Sequence, residues 1–150
     1  MDHSIQAAEL FLKGSNCAQA IAVAFSDVTG LDEKFSARMA SSFGGGMGRL
    51  REVCGAVSGM LLVAGLLYGY DDPGEKDGSK KEHYQLVQEL AGQFREEVGS
   101  IICREILKNP PSDPNPSPRT AEYYATRPCA RMVMVAAQVL DRYIEEHPVK

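Results

Sequence analysis

The 150-residue chain has no Cys-x-x-Cys pair, no run of Lys or Arg, no stretch alternating between apolar and polar residues, and only three histidines. Each absence removes a class of protein. Without strand alternation, the periodicity that remains is helical throughout. With 16 basic against 20 acidic residues, a formal charge of −4 and no basic stripe to follow a phosphate backbone, nucleic acid is excluded as a partner. His3, His83 and His147 lie near a terminus or among charges and read as solvated side chains. The lack of a Cys-x-x-Cys-His site also argues against haem. Met1-Asp2-His3-Ser4 contains no basic leader segment. The apolar stretch from Val53 to Tyr70 is short, Gly-rich and closely preceded by Arg49, Arg51 and Glu52, so it reads as a buried core helix rather than a membrane span. The expected compartment is the cytoplasm, where thiols stay reduced unless a reaction oxidises them.

What the chain does have is four cysteines, Cys17, Cys54, Cys103 and Cys129, each on a separate segment. A domain of this length buries roughly 70% of the surface its unfolded chain exposes, so the fold needs no cross-links to persist. The thiols therefore call for a reading of their own. Three remain open on spacing alone: inert core residues, redox thiols, and ligands of a zinc ion or an iron–sulfur cluster. Four cysteines complete a tetrahedral set, but such sites usually draw two ligands from one short knuckle, and here successive cysteines lie dozens of residues apart.

The helical pattern predicts an all-α, single-domain bundle over residues 1–150, arranged around a central Gly-rich apolar helix. Ile5 to Leu12 form a first helix that stops at Gly14. Asn16 caps a second, with Gln19 placed to return the bond and Cys17 in the first turn. Leu31, Phe35, Met39 and Phe43 recur every four residues and predict a third helix, ending at Gly44-Gly45-Gly46. The core helix is expected from about Arg51 to Tyr68, with Gly55 and Gly59 on one face for close packing. A polar loop, Asp71 to Gly78, leads to a capping box at Ser79-Lys80-Lys81-Glu82 and a long helix to about Lys108 that contains Cys103. The proline-rich segment Asn109 to Pro118 is an extended connector. A last helix is capped near Thr126 or Arg127, has Pro128 in its first turn, and carries Cys129, Met132, Val133, Ala136, Leu140 and Tyr143.

A thiol is activated by a helix N-terminus or by nearby cations, which favour the thiolate. Cys17 and Cys129 meet the first condition. Arg49 and Arg51 before Cys54, Arg104 beside Cys103, and Arg127 and Arg131 around Cys129 meet the second. The glycine run admits two readings. Gly44, Gly45, Gly46 and Gly48 can present successive backbone N–H groups as an anion cradle beside Arg49 and Arg51, or they form a plain corner between two helices. The run is not a dinucleotide fingerprint, because no strand precedes it and Arg49 stands where the third glycine belongs.

The segment from Phe43 to Gly59 contains Cys54-Gly55-Ala56-Val57-Ser58-Gly59 after the glycine run, with Cys17 before it and Cys103 and Cys129 after it. This order resembles the C_GCAxxG_C_C family, defined by one cysteine, a Cys-Gly-Ala-x-x-Gly motif and two further cysteines. The resemblance spans most of the chain and implies a small, mostly helical redox-active protein without naming a substrate. The expected chemistry is dithiol–disulfide exchange or electron transfer, with no cofactor in the first case. A zinc or iron–sulfur site on the four cysteines, or an inert helical interaction protein, is the alternative. The four thiols are expected to converge at one end of the bundle, with Cys54 reacting first and Cys17 resolving it, and with Cys103 and Cys129 as a second pair or as supporting ligands. The partner is a redox protein of unknown kind or a small anionic substrate, and assembly as a homo-oligomer is left open.

Overall fold

In a computed structural model, residues 2–74 and 78–149 are described, and they form helices joined by turns and one isolated antiparallel bridge, Val53 with Ile102. Helix α1 spans Ser4–Leu12, and α2 spans Cys17–Ala24. Asn16 caps α2 as its sequence dictates: its Oδ1 accepts from the Gln19 amide at 2.9 Å, and Gln19 Oε1 accepts from the Asn16 amide at 3.1 Å. Helix α3 covers Ser26–Thr29, and α4 covers Glu33–Ala40. A 3₁₀ turn at Ser41–Phe43 leads to a tight turn, α5, at Gly44–Met47. The remaining helices are α6 (Gly55–Tyr68), α7 (Ser79–Val98), α8 (Cys103–Ile106), α9 (Ala121–Thr126) and α10 (Cys129–Glu146).

Helix α6 packs along α2 and is also covered by α10 and α7, while α1 lies against α10 and α2. Phe11, Ile21, Phe25, Val57, Met60, Leu90, Phe94, Val133 and Leu140 fill the space between them. The contact of α2 with α6 is close because Gly59 has no side chain. A Cβ there would stand 2.8 Å from the Ala18 carbonyl oxygen and 3.0 Å from Ile21 Cβ. No helix among the described residues is long and apolar enough to cross a membrane.

Several boundaries differ from the sequence expectation, and each difference has a local cause. The core helix begins at Gly55 rather than Arg51, because Arg51 takes a positive φ of 64°, Val53 pairs with Ile102, and Cys54 is the extended N-cap. The long helix ends at Val98, where Gly99 turns left-handed at φ 103°, so Cys103 opens a helix of its own. Gly78, not Ser79, holds the N-cap position of α7. Of the polar loop expected at Asp71 to Gly78, residues 75–77 lie outside the described residues. Pro128 caps α10 in place of Thr126 or Arg127, because residues 121–126 form the short helix α9, whose N-cap is Thr120.

The stripe of Phe35 and Met39 faces outward. The inner side of α4 is instead Ser36 and Ala40, since packing against the alanines of α2 admits only small side chains. His3 is not solvated but 3% exposed. Its Nδ1 is 2.6 Å from Asp141 Oδ1, its Nε2 is 2.9 Å from Asp27 Oδ1, and its ring stacks on Phe25.

Candidate thiol site

All four cysteines line one cavity of about 60 Å³, and each stands at the start of a helix. Cys17, Cys103 and Cys129 are the first residues of α2, α8 and α10, and Cys54 is the N-cap of α6. For the longer helices this places the positive end of the backbone dipole toward the sulfurs, which favours negative charge there. The Val53–Ile102 bridge sets the inner pair: the Cys54 amide donates to the Ile101 carbonyl at 2.7 Å, and the Cys103 amide donates to the Glu52 carbonyl at 2.6 Å. All four side chains are free thiols.

The glycine run is a left-handed turn. Gly45, Gly46, Met47, Gly48 and Arg49 all have φ between 58° and 70°. Its later amides are used within the turn: those of Gly48 and Arg49 reach Gly44 O, that of Leu50 reaches Met47 O, and those of Arg51 and Glu52 reach Gly45 O and Gly46 O. The turn therefore acts on the cavity mainly by aiming side chains. Arg51, 5% exposed, donates from Nε to Pro111 O at 2.9 Å and from Nη1 to Cys103 Sγ at 3.8 Å. Arg49 donates to Ser117 Oγ at 3.1 Å, which ties the turn to the proline-rich connector.

Two side chains that the sequence did not single out complete the wall. Arg119 donates to Phe11 O at 3.0 Å and to Ser15 O at 3.2 Å, and its guanidinium lies 4.6 Å over the Phe11 ring. Tyr123 is sandwiched near Arg119 and Arg127, whose guanidinium groups lie 5.1 and 5.3 Å from its ring centre. Arg119 follows the proline-rich connector, ten residues before Cys129, and no local pattern marks it. A second cavity of about 270 Å³ adjoins the first and is lined by Gly44, Gly45, Gly48, Arg49, Arg51, Arg119, Tyr123 and Arg127, among others.

The four thiols are not equivalent. The neighbouring Cys17 thiol, together with the Arg127, Arg119 and Arg51 guanidinium groups, holds Cys129 down at about 7, against the opposing effect of burial. The same neighbour relationship, reinforced by burial, pushes Cys17 well above the ordinary thiol range. Burial pushes Cys54 up to about 12 despite the Ala56 and Val57 amides. Cys103 is also raised, because burial outweighs the Arg51 hydrogen bond. Burial thus raises Cys54, the thiol expected to react first, while the lowered thiol is Cys129.

The donor set for a metal can be tested in the same geometry. Among the described residues, no three Cys, His, Asp or Glu side chains are grouped so as to hold one metal ion. The cysteines share a cavity wall without grouping around a single metal ion such as zinc.

The chain is thus an all-α protein with four helix-start thiols around an arginine-lined cavity. Residues 15–143 match the family described as "Putative redox-active protein (C_GCAxxG_C_C)", and the chain belongs to that family. No curated protein and no solved structure matches the chain.

Proposed function

We propose that the protein carries out thiol–disulfide exchange through a Cys129–Cys17 couple, with Cys129 as the attacking thiolate and Cys17 as the resolving thiol. The observation that carries this reading is that Cys17 and Cys129 open two helices on one cavity whose wall also holds Arg119 and Arg127, and that Cys129 is the thiol lowered there. In the reaction, the Cys129 thiolate attacks one sulfur of a disulfide RS–SR, forming Cys129–S–SR and releasing RS⁻. The proton of Cys17 passes to the released thiolate. Cys17 then attacks Cys129 Sγ and releases the second RS⁻, so two electrons reach the substrate and the protein keeps a Cys17–Cys129 disulfide. Cys54 and Cys103 complete the cavity wall, with Cys103 Sγ accepting from Arg51.

The test is mild oxidation of the reduced protein followed by peptide mapping under non-reducing conditions. The expected product is a Cys17–Cys129 disulfide that is absent from Cys129→Ser. A first-formed Cys17–Cys54 link, with Cys129 still free, would overturn the assignment.

A further inference from the structure

We propose that the disulfide taken by this site is a small one bearing carboxylate or similar acidic groups, and not the disulfide of a folded protein. The inference rests on the exchange reading above and adds the class of substrate. Its first support is size. The cavity touching the thiols is about 60 Å³, room for a sulfur and its nearest carbons, and it adjoins a chamber of about 270 Å³ walled on one side by Pro114, Pro116 and Ser117 of the connector. A folded protein surface cannot bring its own disulfide through such a space, whereas a molecule of two short arms can enter it.

The second support is charge. Neither cavity is lined by Asp or Glu, while Arg51, Arg119 and Arg127 line both and Arg49 lines the outer one. Arg51 is the informative member. It is 5% exposed, its hydrogen bonds go to a carbonyl oxygen and a thiol, and among the described residues it makes no ion pair with a carboxylate. Three arginines face a single Cys129 thiolate across this cavity, an excess of buried positive charge that an incoming anion would balance. Arg127 is similar: it stacks on Tyr123 and has no carboxylate partner among the described residues. Its charge is available to the outer acidic arm while the sulfur end reaches Cys129.

The experiment compares three small disulfides with the reduced protein at pH 7.5 and low salt: dianionic 3,3′-dithiodipropionate, neutral bis(2-hydroxyethyl) disulfide and dicationic cystamine. The expected order is anionic, neutral, cationic, with about tenfold or more between the first two, the gap shrinking as salt is added. Binding of 3,3′-thiodipropionate, a thioether with no S–S bond, is measured in parallel by calorimetry. It should bind the wild type and be weakened about tenfold or more in Arg51→Gln. Arg127→Gln, on a half-buried side chain, serves the same purpose if Arg51→Gln does not fold. Equal rates for all three disulfides, or faster reaction with a protein disulfide such as that of insulin, would overturn the substrate class while leaving the exchange chemistry intact. Binding of the thioether with no reaction toward any disulfide would uphold the anionic ligand and overturn the exchange chemistry.

Discussion

Gly46 and Cys103 approach so closely that a Cβ on Gly46 would stand 2.7 Å from the Cβ of Cys103. The same atom would lie 2.8 Å from the Glu52 nitrogen and 2.9 Å from Arg51 Cα, so the obstruction is backbone as well as side chain. Gly46 also has a φ of 70°, in the left-handed region. Gly46→Ala should therefore lower stability by about 2–4 kcal/mol, the sum of a left-handed alanine and local overpacking. Gly48, at φ 58°, has nothing nearer than Ser42 O at 3.9 Å, so Gly48→Ala should show only the conformational part, about 1 kcal/mol. Urea unfolding of the two variants side by side checks this. Equal losses would mean that the approach to Cys103 places no constraint on the turn.

The contrast between those two glycines bears on what a sequence can express. Asn16 and Gln19 form both bonds of their capping box because the signal and its partner lie within one helical turn, and α10 keeps its expected register because its apolar positions repeat over five turns. The arginine wall is different. Arg119 reaches Phe11 and Ser15 across more than a hundred residues, a contact created by folding and written in no local pattern. Cys103 reads as part of a long helix because Ile101 and Ile102 carry the apolar stripe past Gly99, and the Val53–Ile102 bridge that competes with helix at this point is again long-range. The burial of His3 follows from two aspartates, Asp27 and Asp141, brought together by packing.

The lowered Cys129 thiol predicts a distinct pH profile. Its alkylation by iodoacetamide, a neutral reagent that the arginines do not steer, should reach half its maximal rate near pH 7, while Cys54, pushed up to about 12, lags throughout. Cys17→Ala removes the first cause of the lowering and should move the Cys129 midpoint upward toward the ordinary value of 9.0. Alkylation rates by residue, read from mapped peptides between pH 6 and 9.5, decide the matter. An unchanged midpoint in Cys17→Ala would show that the arginines alone hold the thiolate.

The same shift enters folding stability with a definite sign. Between about pH 7 and 9 the unfolded chain binds more protons at Cys129 than the folded one, so this residue's contribution grows as pH rises and is lost as pH falls through about 7. Cys17, Cys54 and Cys103 are raised, and their contribution, full below 9.0, declines as pH rises above it. Melting temperatures of the reduced protein should therefore show a component that rises from pH 7 to 9 and is absent in Cys129→Ser, on the order of 2 kcal/mol at most. Parallel pH curves for the two proteins would place the Cys129 thiol back in the ordinary range.

Two glycines of α6 should respond to alanine with opposite signs. Gly59 abuts the Ala18 carbonyl, whereas a Cβ at Gly65 meets nothing within 4 Å. Gly65→Ala should stabilise by about 0.5–1 kcal/mol through helix propensity. Gly59→Ala gains the same propensity but forces α2 and α6 apart, for a net loss of about 1–2 kcal/mol, and Gly59→Leu should lose more. Thermal melts of these single variants are sufficient. A Gly59→Ala protein as stable as Gly65→Ala would mean that the α2–α6 contact yields without cost.

Arg119 ties the end of the connector to the corner between α1 and α2, and it lines both cavities. Its two hydrogen bonds to Phe11 O and Ser15 O are side chain to backbone, and the guanidinium face also covers the Phe11 ring, so Arg119→Ala removes all of these together. The segment around residues 114–127 should then open more often, and amide hydrogen exchange there should speed up by about tenfold or more, while exchange in α6 and α10 changes little. The chemistry should split in a characteristic way. A bulky neutral maleimide should reach Cys129 faster in the variant because the path is wider, yet the Cys129 midpoint should move up because Arg119 is one of the charges holding it down. Arg119→Lys keeps the charge but cannot span both carbonyls with one planar group, so it should restore most of the midpoint and little of the exchange protection. If Arg119→Ala leaves both exchange and midpoint unchanged, the segment is held by its other ties, Arg49 and Arg51 to Ser117 and Pro111 and the Tyr124 hydroxyl to Leu12 O.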